Sequence, residues 1–298
     1  MPLLMEIQIG TVAAIAAGVG LGLYLLQLKK QRSASAPPVP GKCHITTNDG
    51  IHLQYECTCL AGTAANRRSP VPPVVLIHGW SGSCRYFDNT IDKIAARTGG
   101  AVYAFDLRFH GRSDKPSWGF HVHRLAADLH DFLTELQIQQ PVVVGTSLGC
   151  AIIWAFIELY GDNMLHKCVF VDQAPSQWMF SDWSFGSKGI YDPASLAKIQ
   201  GALFAGMEGF AKGNAECCLS HTLPGPLMEL LAQETLRCDP DHLARLMADH
   251  ACAWHASSNR LVAILIVHLM ASDCIRLHRI AQDCIRKHLS ATTEFDSR

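Results

Sequence analysis

Four short runs organise the middle of this chain: Val74-Val75-Leu76-Ile77, Ala101-Val102-Tyr103-Ala104-Phe105, Val142-Val143-Val144 and Cys168-Val169-Phe170-Val171. Each is continuously apolar, rich in β-branched residues and shorter than a helix needs, which is the pattern of a strand buried on both faces. Helical stretches stand between them at 84–97, at 117–136 and at 148–160, the second with Leu125, Leu129, Phe132, Leu133 and Leu136 on one face. Strand and helix in alternation require crossover connections, and these specify an α/β fold with a mainly parallel sheet flanked by helices. Upstream, 43–47 and 51–59 alternate apolar and polar residues across Asn48-Asp49-Gly50, the chemistry of a hairpin turn. Residues 175–255 break the rhythm with helices, two of them opened by Asp192-Pro193 and Asp239-Pro240, and read as an inserted helical lid. The rhythm resumes with a strand at 261–267 and a helix at 274–288. Thr292 to Phe295 begins a further strand, so the domain at 43–298 is expected to be cut short at its last strand.

The chemistry is concentrated at the ends of these strands. Gly145-Thr146-Ser147-Leu148-Gly149 is a G-x-S-x-G directly after an apolar strand and directly before a helical pattern. A serine on so sharp a turn adopts a strained backbone, and the flanking glycines remove side chains that would strike the neighbouring strand and helix. His78-Gly79-Trp80 follows the strand Val74 to Ile77, where a loop is placed to offer backbone N–H groups to a developing oxyanion; the amides of Trp80 and Leu148 are the candidate donors. Asp106-Leu107-Arg108-Phe109-His110-Gly111-Arg112-Ser113 follows the next strand. His78, His110, Asp106, Arg108 and Ser113 are read as loop-holding residues and not as reacting groups.

Together these motifs resemble the α/β-hydrolase superfamily, with its H-G-x loop, its D-x-R-x-x-G-x-S turn and its nucleophile elbow. The similarity extends to the branch of esterases and cofactor-free haloperoxidase-like hydrolases through Val171-Asp172-Gln173-Ala174-Pro175. The resemblance spans about 43–298 and is clearest over 74–175. It implies Ser147 as nucleophile, Trp80 and Leu148 as oxyanion donors, and a triad in the chain order Ser, acid, His. Asp273, after the strand at 261–267, fits the acid, with Asp172 as the alternative. The family's histidine follows its last strand, and none follows Thr292 to Phe295; His288 is the candidate base. Two functions stay open. One is a serine esterase whose lid, with Trp178, Met179, Phe180, Trp183, Phe185, Phe204, Met207 and Phe210, suits a small lipophilic ester. The other is a catalytically impaired hydrolase that uses its pocket as a binding module.

Composition narrows the partners. A formal net charge of -1 with only 17% charged residues is not the footprint of a nucleic-acid binder. The 12 cysteines are scattered through apolar runs and read as buried, unpaired thiols. Cys57-x-Cys59 and His121-x-His123 each lack a second ligand pair, so no metal or other cofactor is expected. Residues 1–28 read as a membrane anchor: Ile7 to Leu28 is interrupted only by Gln8, Thr11 and Gln27, close to the roughly 20 residues that cross a bilayer as a helix. Lys29, Lys30 and Arg32 on its C-terminal flank orient the remaining chain toward the cytosol. A Pro-rich tether fills the rest of 29–42. Removal of residues 1–32 is therefore expected to convert a protein that resists alkaline carbonate extraction into one released by it. Full-length chain found in the soluble fraction would contradict the spanning helix.

Overall fold

The computed structural model describes residues 43–58, 71–173, 176–179, 181, 192–217 and 225–252. Six strands form one sheet among them: β1 (Cys43–Thr46), β2 (His52–Cys57), β3 (Val74–Ile77), β4 (Val102–Phe105), β5 (Val142–Thr146) and β6 (Lys167–Val171), in the order β1-β2-β4-β3-β5-β6. The β1/β2 hairpin and the β2/β4 pair are antiparallel; β3 pairs with β4 and β5, and β5 with β6, in parallel. The sheet is mixed, and its parallel half is the one with continuous apolar runs.

Two-residue periodicity divides the core. Val75, Ile77, Tyr103, Phe105 and Val143 face α2 (Val122–Glu135) and α3 (Leu148–Tyr160), while Val74, Leu76, Val102 and Ala104 face α1 (Ile91–Thr98). α3 is buried along its whole first nine residues, Leu148 to Phe156, between the sheet and α2. Trp154 stacks on Phe170 at 4.9 Å between ring centroids, and Phe132 of α2 stacks on Phe105 at 4.6 Å. Each such ring taken from water contributes about 1.5–3 kcal/mol.

The stretch after β6 supplies α4 (Pro193–Ala205), α5 (Met207–Cys217), α6 (Gly225–Leu236) and α7 (Pro240–Cys252). Asp192 caps α4 in a reciprocal capping box with Ser195, and Asp239 Oδ1 accepts from the amides of Asp241 and His242 at the start of α7. α7 reaches back to the body of the domain, where Asp249 Oδ2 accepts from the Val122 amide at 2.8 Å. That contact starts α2 at residue 122, later than the helical pattern from 117 predicts. The stretch 84–97 is also not one helix. Asp106 Oδ1 takes the Cys84 amide at 2.8 Å and Ser83 takes the Arg85 amide, which closes a single 3-10 turn, Cys84–Phe87, before α1 begins. The anchor at 7–28, the strand at 261–267 and the helix at 274–288 lie outside the described residues. No helix among the described residues is long and apolar enough to cross a membrane.

The strand-end loops are tied by buried polar groups. His78 and His110 are fully enclosed, and each ring uses both nitrogens: Nε2 accepts from the Leu107 and Ser81 amides respectively at 3.1 Å, so Nδ1 carries the proton and donates to Gly79 O and Arg108 O. Burial lowers the His78 pKa and pushes that of His110 down to about 3. Arg108 is enclosed as well, clasped by Asp128 at 2.5 and 2.6 Å and by Asp49 at 3.1 Å. The Ser113 hydroxyl donates to Asp106 O and accepts from the Gln54 amide, which fastens the same loop to β2.

Two outcomes follow. The histidine values lie below that of a solvated imidazole, so the unfolded chain binds more protons on acidification and the stability gained is complete only above about pH 6.5. Melting temperature should fall between pH 6.5 and 4, and His110→Gln, which keeps an acceptor without a titrating ring, should flatten that fall. Asp128→Ala, which strands a buried guanidinium, should lower unfolding free energy in urea by about 3–5 kcal/mol, whereas Arg124→Ala at the edge of the same cluster should cost under about 1 kcal/mol.

Candidate functional site

Ser147 occupies the single residue between β5 and α3, with φ 51 and ψ −116. A non-glycine residue in the left-handed region costs on the order of 1–3 kcal/mol and persists only where its surroundings enforce it. Here the enforcement is backbone crowding. A Cβ on Gly149 would stand 2.5 Å from the Ile77 carbonyl oxygen, and one on Gly145 would stand 2.5 Å from the Gly149 carbonyl. The Ser147 amide donates to Val171 O at 2.9 Å, tying the turn to β6. Its hydroxyl does not cap α3. The side chain is thus held clear of both neighbouring elements, half-buried at the positive end of a helix dipole.

Over this turn lies the loop that leaves β3. A Cβ on Gly79 would come within 3.2 Å of the Ser147 Cβ and 3.8 Å of its Oγ, so any side chain there would press the loop away from the serine by a few tenths of an ångström. The next residue is Trp80. Leu148 is the first residue of α3, where an amide has no partner within the helix. Among the described residues neither the Trp80 nor the Leu148 amide donates a hydrogen bond. The structure therefore brings together three of the residues singled out from the sequence, Ser147, Trp80 and Leu148, within one strand-end cluster. Cys150 sits one helical turn on; its thiol donates to Gly145 O at 3.0 Å, and burial pushes it up to about 12, which keeps it a neutral thiol.

Asp172 is the first residue after β6, the strand beside β5, and has its own left-handed backbone at φ 54. Asp273 and His288 lie outside the described residues, as do Phe180, Trp183 and Phe185 of the predicted acyl pocket. Of the other pocket candidates, Met207 and Phe210 pack with Trp80 on Leu203, Cys238, Leu243 and Ala244, while Met179 and Phe204 are exposed. His121 and His123 serve different neighbours, Asp249 at 2.8 Å and Glu158 at 3.3 Å, and no group of three metal-ligating side chains occurs among the described residues. Among the described residues, Cys84, Cys150, Cys168, Cys238 and Cys252 are free thiols. Cys84, Cys150 and Cys238 are buried as expected, but Cys43, Cys57 and Cys168 are half-buried and Cys252 at the end of α7 is exposed. The sequence carries no signal for the groups of the helices after β6 that grip the Trp80 loop: the Leu243 carbonyl, which accepts from the Trp80 indole at 3.1 Å, and the side chains of Asn214 and Thr235.

The same fold recurs in proteins of known structure. An esterase of Exiguobacterium antarcticum superposes with a TM-score of 0.66 at 16% identity, covering 75% of this chain and 78% of its own. A bromoperoxidase of Bacillus anthracis also gives 0.66, at 22% identity, covering 76% and 81%. In sequence, a non-heme chloroperoxidase of Kitasatospora aureofaciens is 29% identical over 181 residues, which is 60% of this chain and 60% of the length of that relative. The profile of the alpha/beta hydrolase fold matches residues 72–223, from the strand before the Gly79 loop into the helices after β6. With its sheet order, its serine turn and this match across half its length, the chain belongs to the α/β-hydrolase fold family.

Proposed function

We propose that this chain is a serine hydrolase that cleaves small lipophilic carboxylic esters through an acyl-enzyme on Ser147. The observation that carries the proposal is the left-handed Ser147 at the β5–α3 junction, lying directly under Gly79. A hydroxyl so placed has no structural task, and the strain has a use in presenting it. In this reading Ser147 Oγ attacks the ester carbonyl carbon, the Trp80 and Leu148 amides receive the oxyanion, and the alkoxy group departs as an alcohol. Water then attacks the acyl carbon and releases the acid and the serine. His288 is assigned as the base that takes the serine proton, and Asp273 as the group that orients it, with Asp172 as the alternative.

Among the similar proteins, the esterase supports ester hydrolysis and the non-heme chloroperoxidase supports chemistry without haem. The apolar cluster of Met207, Phe210 and Leu243 around Trp80 supports a lipophilic acyl or alkoxy group. The apolar run at 7–28 and its basic flank support a single-pass membrane protein with its catalytic domain in the cytosol.

A fluorophosphonate probe tests the assignment, because it reports an activated serine and not merely an accessible one. Labelling of the full chain is expected to be rapid, to vanish in Ser147→Ala, and to fall about 10³-fold or more in His288→Ala. Labelling that is slow and indifferent to every single His→Ala change would favour the binding-module reading. Undiminished labelling of Ser147→Ala would exclude Ser147 as the reacting group.

A further inference from the structure

The loop above Ser147 is gripped from its far side by the helices after β6. Ser81 is 1% exposed, has φ 61, and has every polar group engaged. Its amide donates to His110 Nε2, its carbonyl accepts from Thr235 Oγ1, and its hydroxyl accepts from Asn214 Nδ2, each at 3.1 Å. Thr235 lies in α6, fully buried, its hydroxyl shared between Ser81 O and Leu231 O at 3.2 Å; Asn214 lies in α5. On either side of Ser81, the Trp80 indole donates to Leu243 O of α7 and the Tyr86 hydroxyl to Leu231 O of α6.

The chain beyond Ser81 is fixed to the sheet, since Asp106 Oδ1 accepts from the Cys84 amide. If Ser81 relaxed to a negative φ, the Trp80-Ser81 peptide would turn with it and pull on the Trp80 amide, against the two bonds that hold the Gly79 carbonyl from the body of the domain, His78 Nδ1 at 2.8 Å and the Gly82 amide at 3.2 Å. Of the three groups that hold Ser81, one belongs to the body of the domain and two to the helices after β6. We propose that Thr235 and Asn214 are positioning residues for the hydrolytic reaction: by holding Ser81 left-handed they keep the Trp80 amide aimed over Ser147. This rests on the reading of Ser147 as the nucleophile. These helices are then part of the oxyanion machinery as well as a cover, and a movement of α5 and α6 away from the loop disassembles the site.

Such a residue acts on the transition state and not on ground-state binding. With p-nitrophenyl butyrate and the full chain, Thr235→Val is expected to lower kcat about tenfold or more while KM stays within about twofold. Thr235→Ser should restore kcat. Asn214→Ala should lower kcat in the same sense, and adding Ser81→Ala to it should lower kcat no further, because both changes break one hydrogen bond. A kcat for Thr235→Val within about twofold of the parent, a loss carried by KM, or a serine variant no better than valine would overturn the assignment. If Thr235→Val does not fold by circular dichroism, the Asn214 and Ser81 cycle decides: additive losses, or none, overturn it. Ser147→Ala run alongside separates the two levels. Turnover that survives Ser147→Ala refutes the serine-hydrolase reading; turnover abolished by it but unmoved by the Thr235 and Asn214 variants refutes only the positioning role.

Discussion

At the β5–α3 junction the main chain of three elements meets with almost no space between them. Gly149 lies against the Ile77 carbonyl of β3, and Gly145 lies against Gly149. Everything at the candidate site depends on this approach. It forces Ser147 into the left-handed region, it brings the loop after β3 within a methyl group of the serine, and it lets α3 run back under the sheet as an almost wholly buried helix. A side chain at either glycine would push α3 off β3, and the serine would lose its presentation along with the packing of Trp154 and Phe156.

The buried polar groups around that junction divide the labour. His78, His110, Asp106 and Ser113 each bond backbone groups of neighbouring loops, so the strand ends are held by interactions that exclude water. A buried imidazole that accepts from one amide and donates to a carbonyl has neither nitrogen left for proton transfer, which is why two histidines so near the serine serve structure. The Arg108 cluster does the same on the far side of the loop, joining the hairpin turn at Asp49 to α2 at Asp128.

The helices after β6 are tied to this framework at more than one level. Asp249 of α7 caps α2, Leu243 of α7 receives the Trp80 indole, and α5 and α6 grip Ser81. Arg85 beside the loop also meets the buried Glu234 of α6 at 3.4 Å. Helices so connected transmit their position to the loop directly. Family membership supplies the sheet and the turn, but these contacts belong to the side chains of this chain, and they decide how firmly the loop is held.

Much of this was legible in the sequence because it follows from short-range rules. The apolar runs could only be strands, though only β3 and β4 are buried on both faces while β5 and β6 are half-buried, the helix at 148–160 has the limits its pattern predicts, Asp192 and Asp239 open helices as their neighbouring prolines announce, and a G-x-S-x-G between strand and helix dictates a strained serine. What the tertiary structure alone decided depends on partners distant in sequence. The amide of Cys84 is captured by Asp106 and that of Val122 by Asp249, so the helices at 84–97 and 117–136 begin later than periodicity implies. Ser81 is left-handed with its amide on His110, and its hydroxyl and carbonyl find partners only when Asn214 and Thr235, more than 130 positions away, fold over it. Local pattern records which face of an element is apolar; it does not record which donor will find which acceptor, because that is settled only when the elements pack.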